Sequence, residues 1–250
     1  MSDIEVGREG DHVGVLRLSR PPHNFFDTSL IAELADAYEE MGNSAWCRVI
    51  VLCSAGKNFC AGLDFAANAG QNIGELYGQA LRLFAAPLPV VAAVQGSAVG
   101  GGCGLALSTD FRVASSSSRF SANFARLGFH HGFALSVTLP ATVGPQHAAD
   151  LLLTGRRVGG DEALRIGLCD ELAAENDLYV AALARAGAIA MSGPLAVRSI
   201  RSTLRQGLVE QARLAMEHEQ AEQERLRTTA DFAEGIRATA ERREPRFSGS

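Results

Sequence analysis

Lysine is almost absent from this chain: Lys57 stands alone, and every other basic residue besides histidine is an arginine. No periodicity accompanies the arginine excess, so it reads as codon usage. Long basic runs are missing as well. Arg156-Arg157 and Arg242-Arg243 are too short to neutralise a track of phosphates, and the formal charge is −5, so nucleic acid is not an expected partner. Cysteine is scarce and odd in number. Cys47, Cys53, Cys60, Cys103 and Cys169 contain no C-x-x-C, which argues against a disulfide framework and against a zinc site, and predicts reduced thiols in a cytoplasm. The opening residues Met1-Ser2-Asp3-Ile4-Glu5 lack a basic stretch followed by an apolar one, so no export signal is expected. One uncharged run, residues 83–109, has the length of a membrane span. Pro87, Pro89, Gln95 and several glycines interrupt it, and a buried strand followed by a buried helix fits better than association with a membrane.

What is present is the composition of a packed globular protein: 250 residues, 47% hydrophobic and 20% charged, enough to bury a sizeable core. Ile4-Glu5-Val6 and Val13–Leu18, with Gly10-Asp11 between them, predict an opening hairpin. Thr28 or Ser29 is placed to cap a helix in which Leu30, Ile31, Leu34, Ala37, Tyr38 and Met41 recur at helical spacing. The apolar, β-branched runs Val49–Cys53, Val90–Val94 and Phe111–Ala114 predict strands covered on both faces. Each is followed by a turn and a helical stretch, so the fold class is α/β with parallel pairing. Beyond Ala148 the pattern predicts helices only, over 151–154, 162–166, 178–191 and 195–226. The expected organisation is an α/β core over residues 1–192 and a helical C-terminal region over 193–250.

Two glycine-rich turns stand at strand-to-helix junctions: Phe59-Cys60-Ala61-Gly62-Leu63-Asp64 and Gly96-Ser97-Ala98-Val99-Gly100-Gly101-Gly102-Cys103-Gly104. Glycine lets bare backbone approach a ligand, and the first amides of a following helix are unpaired donors aligned with the helix dipole. Such amides hold negative oxygens. The same glycines could equally serve tight packing of strand on helix. Neither turn has the spacing of a nucleotide-binding loop.

Six motifs in order, spanning nearly the whole chain, resemble the enoyl-CoA hydratase/isomerase (crotonase) family. They are Arg20-Pro21 followed by Asn24, the Phe59–Asp64 turn, Gly100-Gly101-Gly102-Cys103 before Asp110, Leu153-Thr154-Gly155-Arg156, Ala163-x-x-x-Gly167-Leu168 and Arg243-x-Pro245-x-Phe247. The resemblance implies a spiral of ββα units, a helical C-terminal region that builds a homotrimer or a hexamer of two trimers, and acyl-CoA substrates. Coenzyme A would then be part of the substrate, with no separate cofactor and no metal. The resemblance also places an oxyanion hole on the N–H groups of Leu63 and Gly101, with Ala61, Gly62, Asp64, Gly100, Phe124 and His130 around the substrate.

The resemblance further implies where chemistry departs from hydration. The family's hydratases carry two glutamates, at positions that hold Gly104 and Phe124 in this chain, and neither residue transfers a proton. Asn123, Arg126, His130 and His131 remain in that loop, at or beside positions where some relatives place a catalytic carboxylate. His131 is therefore the candidate base, with an ordinary pKa of about 6.5 suited to proton transfer near neutral pH. Either loop histidine, His130 or His131, could alternatively cap a helix or line a subunit contact. Asp64 could stabilise the start of the following helix, Cys60 and Cys103 read as packing residues, and His23 and Lys57 are candidates to approach coenzyme A phosphates. The functional expectation is a thioester enolate enzyme in which isomerisation is easier to accommodate than hydration. An acyl-CoA hydrolase and a non-catalytic acyl-CoA-binding protein are the alternatives.

Overall fold

The opening hairpin pairs β1 (Ile4–Glu9) with β2 (Val13–Leu18) in antiparallel register, Ile4 opposite Leu18. The structure is a computed structural model that describes residues 2–64 and 72–250. After helix α1 (Thr28–Asn43) comes β3 (Val49–Ser54), parallel to β2. Helix α2 (Ile73–Phe84) leads to β4 (Val90–Val94), and β5 (Ser97–Val99) runs into α3 (Gly101–Ser108). The chain continues through β6 (Phe111–Ala114), β7 (Arg119–Ser121), a 3-10 turn over Asn123–Leu127 and α4 (Leu135–Thr154), which breaks at Gly144. Then follow β8 (Arg157–Gly159), α5 (Gly160–Arg165) and β9 (Glu171–Leu172). Four helices close the chain: α6 (Leu178–Ala190), α7 (Pro194–Leu204), α8 (Leu208–Leu226) and α9 (Ala230–Ala240).

One sheet has the order β1-β2-β3-β4-β6-β9 and the other β5-β7-β8. Successive strands alternate between them: β4 then β5, and β6 then β7, each pair followed by a helix. The loop after β3 joins the second sheet as well, through a parallel bridge from Cys60 to Ala98. The central strands of the larger sheet, β3 and β4, are buried on both faces, as the β-branched runs predict. Ile50, Leu52, Val90, Ala92 and Val94 point into the main core with α1 and α2. Their neighbours Val49, Val51, Val91 and Ala93 point the other way, against Leu178, Ala182, Ala186 and Ala190 of α6, whose small side chains at helical spacing admit the helix close to the sheet.

Three local expectations change. The cap of α1 is Asp27, one residue before the expected hydroxyls, because its extended backbone lets the carboxylate accept from Leu30 N at 2.9 Å. Strands do occur beyond Ala148: β8 and β9 are only three and two residues long, too short to show a period, and exist through pairing with β7 and β6. The expected helix over 195–226 breaks before Gly207, whose φ of +79° starts α8 in the left-handed region. Among the described residues, no single helix is long and apolar enough to cross a membrane.

Candidate active site

The two glycine turns lie against each other through their main chains. Cys60 N donates to Ser97 O at 3.1 Å, and Val99 N donates to Cys60 O at 3.0 Å. At Gly62, with φ of +81°, a Cβ would stand 2.7 Å from Val99 O and 3.1 Å from Gly101 N. At Gly102 it would overlap the Cys60 carbonyl. Packing of backbone on backbone therefore demands glycine here, and the same packing brings Leu63 beside the first turn of α3. The Gly101 N–H opens that helix and has no acceptor within it; among the described residues neither it nor the Leu63 N–H donates to the protein. Both turns thus satisfy the packing reading and present free donors at once.

These donors border a cavity of about 330 Å³ with a mostly apolar wall that includes Phe25, Phe26, Phe124, Phe129 and Phe133. Of the residues singled out in the sequence, Ala61, Leu63, Asp64, Gly100, Gly101, Asn123 and Phe124 line it. Gly62 supports the wall from behind. Gly104 lies inside α3 and is buried against Phe133, whose Cβ would be 2.6 Å from any Cβ added at Gly104. The space a side chain at position 104 would need is occupied by an aromatic ring. Asp64 is the one carboxylate on the described wall; the helix expected to follow it lies outside the described residues.

The loop histidines lie away from this wall. The cavity wall passes from Phe129 to Gly132, and neither His130 nor His131 lines it. Ser136 Oγ gives its proton to Glu219 Oε1 at 2.7 Å, so its 2.8 Å bond with His131 Nε2 uses an imidazole N–H. The His131 ring stacks on His130 with centroids 4.1 Å apart. Burial, helped by the neighbouring His130 and His218, pushes its pKa down to about 4. His131 is thus packed against Ser136 and His130 rather than against the cavity, and His130 turns its Nδ1 to the His131 carbonyl at 2.8 Å.

The residue that sequence reasoning missed is Glu219. Its side chain is fully buried, and its carboxylate accepts from Ala134 N at 2.9 Å, Ser136 N at 3.0 Å and Ser136 Oγ. Burial outweighs these bonds and raises its pKa above the ordinary carboxylate value. Phe133 and Ala134 both have positive φ, +62° and +57°, a conformation costly for residues with a Cβ. Glu219 holds that strained pair, and the pair aims Phe133 into the cavity. Residues 211–243 look like a solvated charged stretch, yet Ala212, Met216, Glu219 and Gln223 recur at buried helical spacing, a signal available in the sequence.

Further polar groups on the wall belong to a corner beside this loop. Tyr77 OH donates to Gln223 Oε1 at 3.1 Å, and Gln223 Nε2 donates to His130 O at 3.0 Å. A Cβ at Gly132 would overlap the Tyr77 hydroxyl. Cys60 and Cys103 are buried thiols pushed up to about 12 by desolvation, as packing residues would be. His23 and Lys57 are exposed and outside the wall. Asn24 carries a motif for structural reasons: it donates to Ala55 O and Asn58 O and accepts from Arg20 N, tying the loops that flank the first turn.

Comparison with known proteins identifies the family. The family model for enoyl-CoA hydratase/isomerase matches residues 8–250. The crotonyl-CoA hydratase of Syntrophomonas wolfei is 33% identical over 246 residues, covering 95% of each chain. The short-chain-enoyl-CoA hydratase of Clostridium acetobutylicum is 32% identical over 217 residues, covering 83% of each. The solved structure of an enoyl-CoA hydratase/isomerase from Pseudoalteromonas atlantica T6c superposes with a TM-score of 0.90 at 29% identity, over 98% of this chain and 100% of that one. With a family match across almost its full length, relatives above 30% identity and the same mixed α/β fold, the chain belongs to the enoyl-CoA hydratase/isomerase family and is an enzyme of that family.

Proposed function

We propose that this enzyme binds acyl-CoA thioesters with the carbonyl oxygen between the N–H groups of Leu63 and Gly101, and that it moves a double bond rather than adding water. Preorganised donors of this kind are typically worth about 2.7–4 kcal/mol each toward a developing oxyanion. Hydration needs groups that hold a water and move its proton. At the two positions where the family resemblance puts glutamates, this chain has Gly104, covered by Phe133, and Phe124 on the wall. The observation that carries the reading is the single carboxylate on the described wall, Asp64, next in chain to Leu63.

One base suffices for isomerisation. A carboxylate takes the C2 proton of a 3-enoyl thioester, the electron pair moves into the carbonyl to form a dienolate held by Leu63 and Gly101, and the proton returns at C4 to leave the 2-enoyl thioester. Asp64 takes the role expected of His131. The test compares 3-hexenoyl-CoA isomerisation with crotonyl-CoA hydration in the wild type, Asp64→Asn and His131→Asn. Isomerisation should be the faster wild-type reaction and fall about 10²-fold or more in Asp64→Asn, with His131→Asn near wild type. Efficient crotonyl-CoA hydration, or release of free coenzyme A in place of the isomer, refutes the assignment.

The alternation of strands between two sheets supports reading the core as a ββα spiral. For assembly, we infer a homotrimer or a pair of trimers built through the C-terminal helices. No residue of α7 is buried, and Met191, Leu195, Ile200 and Leu204 are exposed around it, an apolar face that a partner subunit would cover. A monomer mass by light scattering at micromolar concentration would refute the assembly.

A further inference from the structure

Arg227 follows the last residue of α8 and is on the cavity wall. Its Nε is buried without a hydrogen-bond partner, and its guanidinium stands 5.6 Å from the Phe129 ring centroid. Among the described residues it forms no ion pair, whereas Arg20 is held by Asp3 and Asp27, Arg112 by Asp170, and Arg156 by Asp150 and Glu162. The neighbouring carboxylate on its own helix, Glu224, is exposed.

The surroundings of Arg227 cannot supply what it lacks. Tyr77 gives its proton to Gln223, and Gln223 spends its amide on the His130 carbonyl. The rest of the wall is mostly aromatic or aliphatic, with Asp64, Asn123 and Thr239 as its other polar side chains. A cation facing an apolar cavity loses hydration and regains little from one ring face. An anionic oxygen entering the cavity would restore a charge-assisted bond, and guanidinium matches a carboxylate with two parallel N–H groups. The corner is also separated from the oxyanion donors. Phe26 covers Gly101, with Cζ 2.5 Å from an added Cβ, and the Phe133 ring lies beyond Phe26 in a tilted contact with centroids 5.5 Å apart. Gly132, next to Phe133, lies under the Tyr77 hydroxyl.

We propose that the acyl group accepted by this enzyme ends in a carboxylate, as in the monothioester of a dicarboxylic acid, and that Arg227 receives that carboxylate at the end of the cavity away from Leu63 and Gly101. The proposal rests on the acyl-CoA reading of the site and names its substrate class. A phosphate of coenzyme A shares the same chemistry and is distinguished by the test.

Calorimetric binding is measured for adipoyl-CoA and hexanoyl-CoA, and for the corresponding pantetheine thioesters, which carry no phosphate. Wild type, Arg227→Met and Arg227→Lys are compared, each checked for an unchanged thermal unfolding profile. Adipoyl thioesters should bind wild type at least tenfold more tightly than hexanoyl thioesters. Arg227→Met should lose about ten- to hundredfold for both adipoyl forms, the range expected for a hydrogen bond to a charged group, and leave hexanoyl-CoA unchanged. Arg227→Lys should recover part of the loss. A loss shared by hexanoyl-CoA and absent with pantetheine thioesters assigns Arg227 to a phosphate and overturns the proposal, as does no loss at all. Hexanoyl-CoA binding without preference for adipoyl-CoA removes this inference alone. Failure of every thioester to bind wild type removes the acyl-CoA reading with it.

Discussion

The two walls of the cavity are built by different means. On one, Leu63 and Gly101 present main-chain N–H groups, and the glycines around them have no room for a side chain: Gly62 abuts Val99 O and Gly101 N, and Gly102 abuts Cys60. On the other, Phe133 and Phe124 present rings, and the backbone that aims Phe133 is held in a costly conformation by the buried Glu219 carboxylate. Backbone donors depend on the path of the chain and tolerate little change. Side chains can be exchanged without altering that path. Under the proposed reading the glycine wall holds the enolate and carries the base Asp64 next to Leu63, and the choice of acyl group resides in the facing wall.

The sharpest way to break this division is to insert a residue in the glycine wall. Gly101→Pro removes one of the two donors, and turnover should fall about 10²–10³-fold with the fold kept. Steady-state kinetics beside circular dichroism decide it; a folded variant with wild-type turnover would show that the oxyanion is held elsewhere.

A smaller effect is expected from the facing wall. Glu219→Ala leaves the Ala134 and Ser136 N–H groups buried without acceptors, which should cost about 1–3 kcal/mol of stability and loosen Phe133. Urea unfolding measures the first and acyl-CoA affinity the second. If both stayed at wild-type values, Glu219 would not be what sustains the positive φ at Phe133 and Ala134.

The smallest effect distinguishes a structural imidazole from a base. The pKa of folded His131 is about 4, below its ordinary value of 6.5, so between these values the unfolded chain binds more protons than the folded one. Its contribution to stability is present above about pH 6.5 and is lost as pH falls through about 4. Glu219, with its raised pKa, acts in the opposite sense, favouring the folded state more as acid protonates it. His131→Asn should flatten the acid side of the stability profile, while wild-type turnover should show no decline attributable to His131 between pH 7 and pH 6. A rate that falls through that interval in wild type and not in His131→Asn would restore the imidazole to the chemistry.

Several elements were legible because their causes are local. The β-branched runs at Val49, Val90 and Phe111 form covered parallel strands, and the two glycine turns lie where a strand ends and close approach begins. The Asp27 cap shows the limit of that reading: three polar residues in a row compete for one position, and the backbone angles choose among them. β8 and β9 have no period to read, since pairing with distant strands creates them.

The sequence by itself determined the family, the α/β class and the two glycine turns that border the cavity, because each depends on a short run of neighbours and on where glycine is tolerated. Only the tertiary structure decided which side chains surround those amides. Glu219 reaches Ala134 and Ser136 across more than eighty residues of chain, fixes Phe133 over Gly104 and draws Ser136 against His131. That arrangement turns the expected base away from the cavity and leaves Asp64 and Arg227 as the charged groups on its described wall. The direction of a side chain follows from the path of its backbone, and here a buried carboxylate contributed by a distant helix settles that path.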